Sequence, residues 1–145
     1  MCGIVGEISF RSLTNTDWID NAVSSLKHRG PDSHGKWLSE NKKVLFGHTR
    51  LSILDLSDNS NQPMISNCQN YVITFNGEIY NFKELYNDLN VVPKTDSDCE
   101  VIIHMYKEFG IEYTLNRLDG VFAFILYDKT NEEIYVARDP YGVRP

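Results

Sequence analysis

LDGVFAFILYD (residues 118–128) holds an uninterrupted apolar run over residues 121–127, closed by a polar turn at 128–131. A strand that is wet on one face alternates apolar with polar residues. One that is apolar throughout is covered on both faces. Residues 133–137 return from the turn as the second arm of a hairpin. Any fold that accommodates this strand must place a layer above it and another below.

The rest of the chain supplies those layers. Residues 3–10 read as a strand, and residues 17–28 set Trp18, Ile19, Ala22, Val23 and Leu26 on one helical stripe. His28-Arg29-Gly30-Pro31-Asp32 breaks that helix, and strand-like runs follow near 34–39 and 43–49. A loop over 50–63 leads to a strand at 71–75. Next comes Asn76-Gly77, the dipeptide best suited to a tight turn. Phe82, Leu85, Tyr86 and Leu89 mark a further helix. Ser97-Asp98-Cys99-Glu100 has the form of a capping box before a helix with Val101, Ile102, Met105, Tyr106 and Phe109 on its buried face. Strands at both ends and helices between them predict an α+β fold, with sheets sandwiched between helices.

At 145 residues the chain is the size of one domain, with 41% hydrophobic residues, a net charge of −6 and no repeat or low-complexity stretch. No basic stripe offers a field for nucleic acid. No apolar run reaches the length of a membrane span, and MCGIVGEISF has no basic leader. Cysteines at 2, 68 and 99 form no CxxC pair, and His28, His34, His48 and His104 show no metal spacing. A cytoplasmic, metal-free protein is the expectation.

Cys2 stands out chemically. Methionine is normally removed before so small a residue, which would leave a thiol beside its own α-amine. With a pKa near 8, roughly a tenth to a fifth of that amine is neutral at pH 7 and able to act as base. Nucleophile and base then reside in one residue. Cys2-Gly3-Ile4-Val5-Gly6 otherwise reads as a plain edge strand. Asn76 and the Gly77 N–H could donate to an oxyanion, or simply form a turn. Arg50 and Asp98 suit the carboxylate and ammonium of a free amino acid. Equally, Arg50 could be a surface residue and Asp98 could serve the helix dipole.

MCGIVGEI, HRGPDSHG (28–35), GHTRLSILDL (47–56), QPM (62–64), FNGEIYNFKEL (75–85), TDSDCEVI (95–102), LDGVFAFILYD and ARDPYGVRP (137–145) occur in that order. Together they resemble the class II glutamine amidotransferase domain of glutamine-hydrolysing asparagine synthetases, within the N-terminal-nucleophile hydrolases. The Leu51 after Arg50 and the Pro31-Asp32 after Gly30 favour that branch, which also holds β-lactam synthetases. The resemblance implies a four-layer αββα sandwich that lacks its last strands, since the final motif stops at Pro145. It implies hydrolysis of L-glutamine through a Cys2 thioester, with the Cys2 amine shuttling protons and Asn76 and Gly77 as oxyanion hole. Arg50 would hold the substrate carboxylate and Asp98 its ammonium. The backbone of Leu51, Ser52, Ile53 and Leu54, with Glu78, would line the remaining pocket. No cofactor is implied for this domain. ATP and Mg would belong to a synthetase domain that uses the ammonia and whose Ser-Gly-Gly loop is missing here. The alternative is an inactive remnant, or a module that binds glutamine for regulation.

Overall fold

The computed structural model describes residues 1–145. Two antiparallel sheets form. The first has the order β1-β3-β2, from β1 (Gly3–Ile8), β2 (Ser33–Leu38) and β3 (Val44–Arg50). The second has the order β4-β5-β6-β7, from β4 (Met64–Ile65), β5 (Tyr71–Ile79), β6 (Gly120–Asp128) and β7 (Glu133–Arg138). The helices are α1 (Trp18–Ser25), α2 (Phe82–Asn87) and α3 (Glu100–Arg117).

The two-residue period of a strand sorts each side chain into a layer. Val44 and Phe46 of β3 meet Val72 of β5 and Tyr127 of β6 between the sheets. The intervening Leu45 faces outward onto Ile19 and Val23 of α1. In the second sheet Ile73, Phe75, Phe122, Phe124 and Leu126 pack outward on Val101, Ile102 and Met105 of α3. The layers therefore run α1, first sheet, second sheet, then α2 with α3. The apolar run at 121–127 is explained: Phe122, Phe124 and Leu126 serve one layer, Ile125 and Tyr127 the other. Phe46 and Phe124 are fully buried, and truncating either to alanine would cost about 3–5 kcal/mol.

Several local expectations change. Asn76-Gly77 makes no turn: β5 continues to Ile79, with Asn76 paired to Ala123 and Gly77 to Phe122. Pairing with β6 overrides the local turn preference. A glycine is still required, because a Cβ on Gly77 would lie 2.4 Å from the Val121 carbonyl oxygen. The capping box is also not formed. The Ser97 hydroxyl accepts from Cys99 N, and the Glu100 carboxylate accepts from the N–H groups of Lys94 and Thr95. β1 stops at Ile8, and α1 is shorter than its apolar stripe. α3 runs on to Arg117 across a break at Gly110, whose φ is 79°.

Candidate active site

The second sheet supplies an incomplete edge. Tyr80 N donates to Asp119 O and Lys129 N to Asn70 O, so the even-numbered residues of β5 hydrogen-bond to β6. The odd-numbered residues turn their N–H groups the other way, where β4 begins only at Met64, opposite Ile73, and leaves the edge from Phe75 to Ile79 without a strand. Phe75 N donates instead to Gln62 Oε1 at 2.6 Å, and Ile79 N to Asp98 Oδ2 at 2.7 Å. Gly77 N, midway between them, has no partner within the protein and lies at the wall of a cleft. The side-chain amide of Asn76, 3% exposed, likewise makes no internal hydrogen bond and lines the same cleft.

The first sheet brings Cys2 to the opposite wall. Gly3 pairs with Thr49, which sets Cys2 beside the end of β3, and its thiol points at Leu51 O, 3.9 Å away. Arg29 Nε donates to Cys2 O at 3.0 Å and holds the residue from behind. Arg29 comes this close because Gly30 lies flat against β3; a Cβ there would sit 2.5 Å from Thr49 O.

Arg50 ends β3 and is buried. Its Nη1 donates to Ser57 O at 2.9 Å and to Asn61 Oδ1 at 3.1 Å, and its Nη2 donates to Asp55 O. Three of five N–H groups are thus used by the 55–61 loop. The Nε–H and one Nη2–H are left along one side, the spacing a carboxylate accepts in bidentate form. Asp98 is buried ahead of α3, and burial pushes its carboxyl up to about 6, with the nearby Glu78 adding to the rise. A buried carboxylate that gains a cation would be relieved of that penalty. Asp55 ties the walls together, accepting from Ser60 Oγ at 2.6 Å and from Asp96 N at 3.0 Å. Hydrogen bonds from Ser60 and Ser57 hold its carboxyl well below the usual carboxylate range.

One cleft, open to solvent, runs between these walls. It gathers Cys2, Arg50, Leu51, Ile53, Leu54, Asn76, Gly77, Glu78 and Asp98, all expected from the sequence. Ser52 is not among the lining residues; its N–H turns away to Asp32 Oδ2 at 2.7 Å. Met1, Asp55, Ser60, Gln62, Ser97 and Arg144 line the cleft as well.

The whole chain, residues 1–145, matches the family model described as a glutamine amidotransferase domain. The chain belongs to that family. It is 40% identical over 152 residues to asparagine synthetase [glutamine-hydrolyzing] 1 of Bacillus subtilis, covering 100% of this chain and 23% of that protein. A putative asparagine synthetase [glutamine-hydrolyzing] 2 of Methanocaldococcus jannaschii is 35% identical over 161 residues, covering 100% of this chain and 31% of that protein. The amidase chry2 of Gibberella zeae is 37% identical over 130 residues, covering 87% of this chain and 19% of that protein. The chain thus spans less than a third of the length of these relatives.

Within this amidotransferase domain, His48 is the residue whose place the sequence did not settle. It is fully buried between the sheets and its Nε2 lies 3.0 Å from Phe75 O. A carbonyl only accepts, so Nε2 carries the proton and Nδ1 is left buried without a partner. Desolvation holds the imidazole neutral, with its pKa down at about 4. Arg29 and Asp55 were also missed as site residues. Arg29 had one legible signal, its place beside the helix-breaking Gly30-Pro31.

Proposed function

We propose that this domain hydrolyses the side-chain amide of L-glutamine to glutamate and ammonia, with Cys2 as nucleophile once Met1 is removed. One observation supports it above all. A single cleft holds a thiol, an uncommitted backbone N–H, an uncommitted amide, a guanidinium with a free side and a buried carboxylate. That set matches the thiol chemistry and the two charged ends of a free amino acid amide. The relatives' names, glutamine-hydrolysing asparagine synthetases, agree with it.

The steps follow from these groups. The Cys2 Sγ adds to the amide carbon while its proton passes to the freed α-amine. The oxyanion accepts hydrogen bonds from Asn76 and Gly77 N–H. Collapse expels ammonia, which carries off the proton from the α-ammonium and leaves a thioester. The neutral amine then takes a proton from water as its oxygen adds to the thioester. Glutamate departs and the proton returns to sulfur. Arg50 binds the α-carboxylate and Asp98 the α-ammonium throughout, so their contribution is to orientation. The ammonia serves a synthetase domain or subunit that makes asparagine or a related amide, and ATP and Mg act there.

Met1 favours one second reading. It lines the cleft, and while it remains the Cys2 nitrogen is a peptide nitrogen with no basicity. A chain that kept Met1 would bind glutamine without turning it over, as a regulatory module. Intact mass and glutamate release, measured on one sample, separate the two. Loss of one methionine with glutamate released supports the hydrolase; processed protein that releases no glutamate refutes it.

A further inference from the structure

The loop after β7 delivers a cation to the cleft that the proposed steps do not use. Asp139 is buried, and its carboxylate accepts from the backbone N–H groups of Phe122, Tyr141, Val143 and Arg144 at 3.2, 3.0, 3.1 and 3.3 Å. The Arg138 guanidinium donates to the carbonyl oxygens of Gly142 and Arg144. Gly142 takes the positive φ of 61° that the turn requires. Residues 139–144 are therefore a fastened turn, with Arg144 at its end and in the cleft wall with Cys2 and Asn76.

Arg144 is poorly satisfied there. Its Nε is buried without a hydrogen-bond partner, and its Nη1 meets Met1 Sδ at 2.6 Å. A thioether is a weak acceptor, and the removal of Met1 that the proposed function requires takes even that contact away. A partly desolvated guanidinium without an acceptor is costly unless an anion meets it. No carboxylate of the cleft forms an ion pair with Arg144. Asp55 is occupied by Ser57 N, Ser60 and Asp96 N, Asp98 by Ile79 N, and Glu78 is exposed.

We propose that Arg144 is an anion-binding residue of the cleft, placed at its Cys2 end to take the distal carboxylate of glutamate. This rests on the glutaminase reading, because it assumes that the substrate's α-groups lie toward Arg50 and Asp98. Glutamine and glutamate differ only at the distal group, neutral in one and anionic in the other. A cation at that end therefore separates product from substrate. It makes glutamate a competitive inhibitor, while leaving glutamine's affinity to the residues around its α-carbon.

The test is calorimetric titration of processed protein with glutamate, comparing wild type, Arg144→Gln and Arg144→Lys, with thermal melts to show that all three are folded. A charge-assisted hydrogen bond predicts a Kd for glutamate raised about tenfold or more in Arg144→Gln, and partial rescue in Arg144→Lys. The KM for glutamine should change less than about threefold on the same scale of reasoning. An unchanged glutamate Kd in folded Arg144→Gln, or no glutamate binding by wild type, overturns the proposal. Failure of the glutaminase reading shows separately, as absence of glutamate release from glutamine by wild type.

Discussion

Replacing Asp98 by asparagine should make the protein more stable and a worse binder of glutamine. The Asp98 carboxyl is buried and its pKa stands at about 6, against an ordinary value of 3.8. The folded state therefore holds a proton on this group more tightly than the unfolded chain does, so stability is gained as pH falls from 6 toward 4. At neutral pH the same difference is a penalty. At about 1.36 kcal/mol per pH unit it amounts to about 3 kcal/mol. Asparagine keeps an oxygen for Ile79 N, now 2.7 Å from Asp98 Oδ2, and carries no charge. Urea unfolding followed by the fluorescence of Trp18 and Trp37 should show Asp98→Asn ahead of wild type by about 3 kcal/mol at pH 7.5, shrinking to about 1 at pH 4.5. The KM for glutamine should rise at least tenfold, the scale of losing one charge-assisted contact of about 1.5–3 kcal/mol. In wild type KM should climb as pH drops below about 6. A variant less stable than wild type at pH 7.5 would mean that the carboxylate serves the fold. An unchanged KM would remove its binding role.

Three substitutions probe the reacting centre. Cys2→Ala should abolish glutamate release while calorimetry still detects glutamine; normal turnover would end the thioester mechanism. Asn76→Ala should lower kcat by about 10²–10³, or roughly 2.7–4 kcal/mol of transition-state stabilisation, with little effect on KM; a loss confined to KM would make it a binding residue only. Gly77→Ala drives a methyl to 2.4 Å from Val121 O and 2.7 Å from Phe122 Cα. Since backbone must yield, unfolding should show a loss of about 1–3 kcal/mol along with reduced kcat; a neutral result would show that β6 moves away freely.

The fold was most legible where information is local and redundant. The run at 121–127 announced a strand covered on both faces because each of its residues repeats the message, and β6 is that strand. The Asn76-Gly77 dipeptide misled because its turn preference is a local term of about a kcal/mol, whereas nine paired positions along β5 and β6 act together. The charged and thiol residues of the cleft could be named from type and order. What could not be read is how they are held. Arg29 reaches Cys2 O across 27 residues, and Asp55 reaches Asp96 N across 41. No spacing rule spans such distances, because those bonds exist only after the sheets have stacked.

That stacking sets a requirement of its own. Cys2 travels with the first sheet, Asn76 and Gly77 with the second, and apolar contact between sheets has no direction. The His48 hydrogen bond to Phe75 O supplies one, a residue away from Asn76. Its cost shows with pH. The imidazole pKa is about 4 when folded and 6.5 ordinarily, so the unfolded chain binds the proton more tightly and stability falls as pH drops from 6.5 to 4. Between pH 7.5 and 4.5 the loss is about 3 kcal/mol, opposed in wild type by a gain of about 2 from Asp98. Glu100, with its carboxyl down at about 2 against 4.5, takes away only about 0.4 kcal/mol by pH 4.5 and acts mainly below that window. Wild type should therefore change little across it, while Asp98→Asn, freed of the opposing term, should lose about 3 kcal/mol. A flat profile for Asp98→Asn would show that His48 is not held neutral between the sheets and that its hydrogen bond to Phe75 O does not direct their stacking.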